Sequence, residues 1–382
     1  MEDQKLTKVP VTPIDKPIKP IPVEPDFPIG GPTPEAIIQI EGSPKKGRAR
    51  ITADSLIPAP NRIEGSDSPE ILFTTPGDDL VLAKGGNDTI FGSLGNDTYS
   101  GGDGFDSLDY SLLGKKITLL PRGFIDNGNT QGSQIQEIER IVGAPNKDNT
   151  IDGSGGTGTD VFFTINLAQE KLVVENIPGL GSVEFEVENF VNIEGTENDD
   201  SLTGNDKRNR ISGNGGNDVL IGGLESDTLL GGSGNDTLTG SDPTVSQTPG
   251  SERDELTGGS GIDKFVLGND NGSFYDDFTS NDFARITDFT FGETIQLSTQ
   301  GTYNIEQSSN GFNVFLVEDS GKDIIAKVTV SFGISSARSA RSAALTTDAA
   351  LTSESAVSSL LADIPEGDFT ISSGEQKGIF VA

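Results

Sequence analysis

The stretch "GGNDTIFGSLGNDTYSGGDGFD", residues 85–106, repeats one pattern every nine residues. Asp88, Asp97 and Asp106 each follow a glycine by two positions and precede an apolar residue by two positions. Glycine permits the positive-φ backbone of a tight turn, and the apolar residue is placed to enter a core. The pattern therefore predicts a turn followed by a short strand. Such a unit buries its apolar residue only by stacking on copies of itself.

The period occurs in two blocks, residues 65–109 and 195–266. Asn209 takes the acidic position between two aspartates of the second block, and the segment 240–248, "GSDPTVSQT", keeps the count but loses the pattern. The phased acids are Asp79, Asp88, Asp97 and Asp106 in the first block, and Asp200, Asp218, Asp227, Asp236, Asp254 and Asp263 in the second.

The regions outside the blocks have different compositions. Residues 1–64 hold 12 of the 20 prolines and have no net charge, which is typical of a disordered arm or linker. Residues 110–194 are β-like and contain a weak duplication with an offset of 52 residues, which places Asp148 opposite Asp200. We interpret them as a duplicated β insert. Residues 267–382 predict strands and hairpins that cap the stack, with one marginal helix at 334–362.

Composition excludes several kinds of chemistry. The 382 residues include no histidine and no cysteine, so the chain has no thiol nucleophile, no Ser-His-Asp triad and no zinc site of the usual kind. Oxygen ligands remain, and these suit hard cations. The net charge of −32 disfavours nucleic acid as a partner. No run of 18 apolar residues occurs, so we expect no membrane span, and we expect no N-terminal signal peptide.

The nonapeptides "GGNDTIFGS", "GGSGNDTLT" and "GGSGIDKFV" resemble those of the RTX (repeats-in-toxin, haemolysin-type) calcium-binding family. The resemblance implies an all-β fold, a parallel β-roll whose successive nonapeptides alternate between two sheets, with two nonapeptides per coil. It also implies calcium ions between stacked turns, held by backbone carbonyls and by pairs of aspartates one coil apart.

Carried over to this chain, the resemblance implies a specific set of calcium ligands. One edge would read Asp200, Asp218, Asp236, Asp254 and hold a continuous row of ions, whereas the other would read Asn209, Asp227, Val245, Asp263 and be interrupted at Val245. Alternatively, residues 240–248 loop out of the roll. The implied ligands are the ten phased aspartates and Asp148, with backbone carbonyls near Gly85, Asn87, Gly102, Gly104, Gly216, Gly232, Gly234, Gly259 and Gly261.

The function that follows is a secreted calcium-binding protein. Extracellular calcium modules bind at about 10⁻⁴ to 10⁻³ M, so we expect folding on calcium binding outside the cell. The resemblance implies export by type I secretion machinery through a signal in the C-terminal region, and we expect a cell-surface or extracellular matrix component as partner. We favour a non-enzymatic structural or adhesive role. The alternatives are a carboxylate-based polysaccharide hydrolase or lyase with its site in the middle or C-terminal β region, and an accessory of a larger surface layer.

Overall fold

The computed structural model describes the greater part of the chain between residues 61 and 331. The arm up to residue 60, the predicted helix at 334–362 and Val245 lie outside the described residues. The described ranges are 61–120, 123–128, 132–155, 160–244, 252–276, 282–290, 292–318, 321–331, 370–373 and 376–378.

The described residues form 31 strands and one turn of 3-10 helix, Leu167–Gln169. The strands up to the end of the middle region are β1 (Asn61–Glu64), β2 (Ile71–Phe73), β3 (Asp79–Gly85), β4 (Thr89–Phe91), β5 (Thr98–Asp103), β6 (Ser107–Asp109), β7 (Thr118–Leu120), β8 (Phe124–Asp126), β9 (Ser133–Gln136), β10 (Arg140–Val142), β11 (Asn149–Asp152), β12 (Phe162–Asn166), β13 (Lys171–Ile177), β14 (Gly181–Glu188) and β15 (Phe190–Glu194).

The remaining strands are β16 (Ser201–Thr203), β17 (Arg210–Gly215), β18 (Val219–Gly223), β19 (Thr228–Ser233), β20 (Thr237–Ser241), β21 (Arg253–Ser260), β22 (Lys264–Val266), β23 (Gly268–Asn269), β24 (Gly272–Ser273), β25 (Phe283–Phe289), β26 (Thr294–Leu297), β27 (Tyr303–Ser308), β28 (Gly311–Glu318), β29 (Gly321–Val330), β30 (Thr370–Ser373) and β31 (Gln376–Gly378). Asn61–Glu64, assigned to the arm from sequence, thus form the first strand.

Two long sheets contain all strands except the β23–β24 hairpin. Sheet 1 has the order β1-β3-β5-β9-β8-β7-β11-β15-β17-β19-β21-β25-β29-β28-β27, and sheet 2 has the order β2-β4-β6-β10-β14-β13-β12-β16-β18-β20-β22-β26-β30-β31.

Successive nonapeptides alternate between the two sheets. β3 pairs in parallel with β5, with Val81 opposite Tyr99, and β4 pairs in parallel with β6, with Ile90 opposite Leu108. The two residues of each pair are separated by two nonapeptides, and all four side chains are fully buried. The predicted parallel β-roll is confirmed, and the apolar position of each repeat supplies its core.

The middle region continues both sheets through two antiparallel meanders. In sheet 1, β9, β8 and β7 form one meander, which pairs in parallel with β5 on one side and β11 on the other. In sheet 2, β14, β13 and β12 form the other, which pairs in parallel with β10 and β16. The two regular blocks therefore share uninterrupted sheets.

The C-terminal strands extend the last coil. β25 pairs in parallel with β21, and β26 pairs in parallel with β22. A third meander, β29-β28-β27, ends sheet 1, and the hairpin β30–β31 ends sheet 2. These strands cover the end of the stack, as the sequence predicted for this region.

Nine additional residues lie between β20 and β21. Leu229 in β19 pairs with Leu256 in β21, and Leu238 in β20 pairs with Phe265 in β22. Both pairs span three nonapeptides of sequence, one more than a regular coil. Residues 240 and 241 belong to β20, whereas residues 245–251 lie outside the described residues, so the alternative that 240–248 loop out stays a prediction.

Candidate metal sites at the turns

The phased aspartates form ladders along the turns. All ten are buried, with at most 3% of each residue exposed. The backbone N–H of Asp88 donates to Oδ1 of Asp106 at 2.7 Å, and that of Asp218 donates to Oδ1 of Asp236 at 2.8 Å. One carboxylate oxygen of each such aspartate thus accepts a hydrogen bond from the turn of the preceding coil.

The ladders correct the predicted edges of the second block. The N–H of Asp236 donates to Oδ1 of Asp263, and the N–H of Asp227 donates to Oδ1 of Asp254. The prediction that Asp254 follows Asp236 on the same edge was wrong. Nine additional residues precede Asp254, so it follows Asp227 on the opposite edge, and Asp263 follows Asp236. Edge 1, whose turns lead into sheet 1, contains Asp79, Asp97, Asn209, Asp227 and Asp254. Edge 2, whose turns lead into sheet 2, contains Asp88, Asp106, Asp200, Asp218, Asp236 and Asp263.

The second carboxylate oxygen, Oδ2, divides the turns into two classes. In six turns it is buried without any hydrogen-bond donor, and we call these the open turns. A buried carboxylate oxygen without a donor costs free energy unless a cation approaches it. The open turns carry Asp88, Asp106, Asp218, Asp227, Asp236 and Asp263.

In the other turns, which we call capped, a side chain or backbone group of the protein satisfies this oxygen. Oδ2 of Asp79 accepts from the N–H and hydroxyl of Thr75 at 2.6 and 3.0 Å. Thr196 makes the same two bonds to Asp200, at 2.6 and 3.1 Å. In the turn of Asn209, a neutral amide stands in the acidic position and accepts from a backbone N–H.

Two tyrosines act as caps on edge 1. The hydroxyl of Tyr99 donates to Oδ2 of Asp97 at 2.6 Å, and the hydroxyl of Ser93 lies 3.0 Å from the same oxygen. The hydroxyl of Tyr275 donates to Oδ2 of Asp254 at 2.5 Å. Tyr275 lies 21 residues beyond its partner, so the nonapeptide pattern contains no signal for this contact.

The two classes of turn also differ in backbone conformation. The difference lies at the second position of the turn, four residues before the acid. In capped turns with a local donor this position holds Thr75, Ser93, Thr196 or Asn205, and none of the four has a positive φ. In every open turn it has a positive φ: Lys84 (82°), Gly102 (99°), Asn214 (73°), Gly223 (120°), Gly232 (117°) and Gly259 (103°).

Stacked carbonyls line the open turns of edge 2. A Cβ placed on Gly234 would lie 1.7 Å from the carbonyl oxygen of Gly216, and one on Gly261 would lie 1.7 Å from that of Gly234. Both positions also have positive φ, 133° and 140°. Only glycine permits this approach of successive turns.

The predicted carbonyl positions lie in open turns, whereas their role as ligands stays a prediction. Those with positive φ are Gly102, Gly104, Gly216, Gly232, Gly234, Gly259 and Gly261. Gly85 ends β3 and Asn87 precedes Asp88, so both belong to the turn of that aspartate.

The prediction for Asp148 was wrong. Its side chain is exposed, and the next residue, Asn149, is fully buried in the turn position. Oδ1 of Asn149 accepts from the N–H of Ile117, and its Nδ2 donates to the carbonyls of Ala144 and Asn189 at 2.8 and 2.7 Å. The sequence "KDNT" offered an acid and an amide side by side, and the apolar Ile151 two positions further selects the amide.

A second amide that the sequence analysis missed lies beneath a turn of edge 1. Nδ2 of Asn127 donates to the carbonyl oxygens of Ser93 and Gly95 at 2.9 and 2.8 Å. The hydroxyl of Ser133 also donates to the carbonyl of Gly95, at 3.2 Å. The carbonyls of this turn therefore have donors within the protein.

The model of the RTX calcium-binding nonapeptide repeat family (4 copies) matches residues 73–108, 194–229 and 221–242. This chain carries RTX calcium-binding repeats. The matched residues cover most of the first block and cover the second block up to the nine additional residues between β20 and β21. The RTX repeats bind Ca²⁺, and the buried aspartates of the roll fit that ion.

Among solved structures, the chain is similar to the extracellular lipase LipA from Serratia marcescens at 17% identity, with a TM-score of 0.22, over 72% of this chain and 40% of the lipase chain. The match therefore spans less than half of that lipase. No curated protein matches the chain. Within the described residues, no helix has the length and apolar character needed to cross a bilayer.

Calcium at the RTX repeats would take most of its ligands from the backbone. Among the described residues, no group of three or more acidic side chains converges on one point. Calcium accepts six to eight oxygen ligands and readily uses backbone carbonyls. One or two carboxylates together with the carbonyls of two stacked turns are therefore a suitable donor set.

Burial disfavours the charged form of several ladder aspartates in the second block. It raises the pKa of Asp218 to about 8 and that of Asp227 to about 9. Neighbouring carboxylates add to the shift of Asp218, whereas the bond from the N–H of Asp200 opposes it. A divalent cation between the turns would reverse this preference, because it stabilises the ionised form. Burial likewise raises the pKa values of Asp200, Asp236 and Asp254 to about 6.

Proposed function

We propose that the aspartates and carbonyls of the open turns hold calcium, and that this binding completes the fold of the roll. The observation that carries the proposal is the set of six buried Oδ2 atoms without donors. These oxygens belong to turns with positive φ at the second position, and carbonyls of successive turns stack close beside them. A bound cation stabilises a buried carboxylate oxygen that lies beside carbonyl oxygens, because these carry partial negative charge as well.

Binding and folding are coupled because the sites do not exist in the unfolded chain. Each open turn needs a coil above or below to supply its ladder hydrogen bond. Calcium also offsets the repulsion of a chain with net charge −32. We therefore expect the roll to gain most of its stability at the calcium concentrations of extracellular modules, about 10⁻⁴ to 10⁻³ M.

This calcium requirement supports a location outside the cell. Calcium at such levels is characteristic of extracellular modules, and we infer that the chain is secreted or associated with the cell surface. Export by type I secretion machinery accords with the RTX repeats. A surface or matrix component would be its partner.

A structural or adhesive role is the activity that we infer. The chain has no histidine and no cysteine, and the buried aspartates of the roll are engaged in ladders and caps. Binding of the protein to cells or glycans in millimolar calcium is expected. Turnover of a polysaccharide in the same preparation would instead support a hydrolase or lyase.

The calcium proposal is tested by circular dichroism and thermal unfolding of the full chain. We expect β content and the midpoint of unfolding to rise with millimolar calcium and to fall in chelator. Magnesium is the control, because it keeps its own waters and prefers a smaller octahedral site. Equal β content and equal midpoints in calcium and in chelator would contradict the proposal.

A further inference from the structure

We infer that calcium occupies only edge 2 of the roll, and that edge 1 is held by hydroxyl and amide groups of the chain in place of the ion. This inference rests on the proposed calcium binding and assigns it to particular turns.

Hydroxyl donors to the carboxylates are concentrated on edge 1. On edge 1, Asp79, Asp97 and Asp254 each receive a hydroxyl at Oδ2, and Asn209 is neutral. On edge 2, only Asp200, at the start of the second block, receives one. A hydroxyl donor and a calcium ion compete for the same lone pairs, so a capped oxygen has less to offer an ion.

Side-chain donors also reach turn carbonyls on edge 1, whereas in the described open turns of edge 2 the hydroxyl of Ser233 approaches the carbonyl of Asn214 only at 3.4 Å. An ion site needs carbonyl oxygens that are not already hydrogen-bonded. In the turn of Asp97, Asn127 donates to two carbonyls and Ser133 reaches one of them again. Further along sheet 1, in the middle region, Asn149 donates to the carbonyls of Ala144 and Asn189. A side-chain N–H thus takes the place where a cation would neutralise the carbonyl dipoles.

Within the described turns, open turns follow one another directly only on edge 2. An ion between two coils needs open turns on both sides. Edge 2 has three such positions: between Asp88 and Asp106, between Asp218 and Asp236, and between Asp236 and Asp263. On edge 1, the turn of Asp227 is open, but its neighbours at Asn209 and Asp254 are both capped. The inference therefore gives three bound ions, all on edge 2.

The test compares isosteric substitutions at the two edges in the full chain. Asp106→Asn removes a charge from an open turn of edge 2, whereas Asp97→Asn removes one from a capped turn of edge 1. In the second variant the new amide can donate to the hydroxyls of Ser93 and Tyr99 while its oxygen keeps the bond from Asp79. Bound calcium is counted by equilibrium dialysis with elemental analysis, and Asp254→Asn provides a second variant of edge 1.

We expect three ions per chain in the wild type, two in D106N, and three in both D97N and D254N. Loss of an ion from D97N or D254N would overturn the inference while leaving calcium binding itself intact. A wild type without bound calcium would overturn both. Anomalous diffraction from wild-type crystals grown in calcium locates the ions without any substitution, and a peak on edge 1 would contradict the assignment.

Discussion

The backbone N–H of Asp236 donates to Oδ1 of Asp263 at 2.9 Å, across 27 residues of sequence. The equivalent bond one coil earlier, from Asp218 to Asp236, measures 2.8 Å and spans 18 residues. The two bonds have nearly the same length, so the roll keeps its geometry while the chain between β20 and β21 carries nine additional residues. Spatial succession along an edge, rather than sequence spacing, determines which aspartates act together.

Deletion of residues 242–250 should leave the roll intact. The deletion returns the spacing between Asp227 and Asp254 to two nonapeptides, the value of a regular coil. We expect the thermal midpoint in calcium to change by no more than a few degrees, because the strands before and after these nine residues already pair with their neighbours in the stack, and insertions between such elements are tolerated. Calorimetry in saturating calcium measures it. Deletion of nine residues within the stack, 219–227, is the matched control and should unfold the protein or lower its midpoint strongly.

Removal of the Tyr275 hydroxyl should destabilise the protein with and without calcium. In Tyr275→Phe, Oδ2 of Asp254 loses its donor while both residues stay buried. We expect the free energy of unfolding to fall by about 1–3 kcal/mol. Urea denaturation in calcium and in chelator measures the change. In a D254N background the same substitution should cost less, and equal costs in the two backgrounds would argue against the hydroxyl as a cap.

Gly234→Ala should impair an open turn, whereas Gly77→Ala should not impair the capped turn at the same repeat position. Gly234 has a φ of 133°, and a methyl group added there would lie 1.7 Å from a carbonyl oxygen, whereas the nearest atom to such a methyl on Gly77 is 3.8 Å away. We expect G234A to lose at least about 1 kcal/mol of stability from its positive φ alone, and to bind fewer ions. Thermal unfolding with ion counting tests this, and equal behaviour of the two variants would contradict it.

Without calcium, the roll should become less stable as pH rises. Burial raises the pKa of Asp218 to about 8 and of Asp227 to about 9, above the value of about 3.9 for an unfolded aspartate. A raised folded-state pKa stabilises the protein fully below the unfolded value, and the contribution is lost as pH rises through the folded value. In chelator, the unfolding midpoint should therefore fall between pH 5 and pH 9.

Calcium should reverse this dependence, because protons compete with the ion for the same carboxylates. In saturating calcium the midpoint should rise with pH over the lower part of the same range. D218N is the control that separates these aspartates from general charge repulsion, since it should flatten the curve in chelator. A midpoint in chelator that rises from pH 5 to pH 9 would contradict the prediction.

Much of the roll follows from local sequence. The apolar position two residues after each acid identifies the core side chains, as Ile90 and Leu108 illustrate, because a stack of nine-residue units has only one inward-facing place for them. Burial of the ten phased aspartates follows from the same phase. The sequence indicates some of the capped turns, since Thr75 and Thr196 replace a residue that adopts positive φ elsewhere. It does not indicate all of them, because asparagine occurs in both classes, at Asn205 and Asn214.

Long-range features could not be derived in this way. The hydroxyl of Tyr275 reaches Asp254 from outside the repeats, and Asn127 reaches the turn of Ser93 from a meander. The sequence did not predict that Asp263 follows Asp236. An insertion of nine residues leaves the nine-residue spacing of the aspartates unchanged, but it moves every later aspartate to the other edge. The pairing of β20 with β22 shows which aspartates follow one another along an edge, whereas their spacing in the sequence does not.

The two meanders of the middle region also keep the sheets equal in extent. Each adds two antiparallel strands to one sheet, which lengthens that sheet by about 9–10 Å at the usual strand spacing. Between β5 and β17, sheet 1 contains five strands, and between β6 and β16, sheet 2 contains four, the difference that simple alternation produces. A meander in one sheet alone would shift every later coil out of step with its opposite face. The second meander compensates the first, so the coils of the second block meet their opposite face in the same register as those of the first.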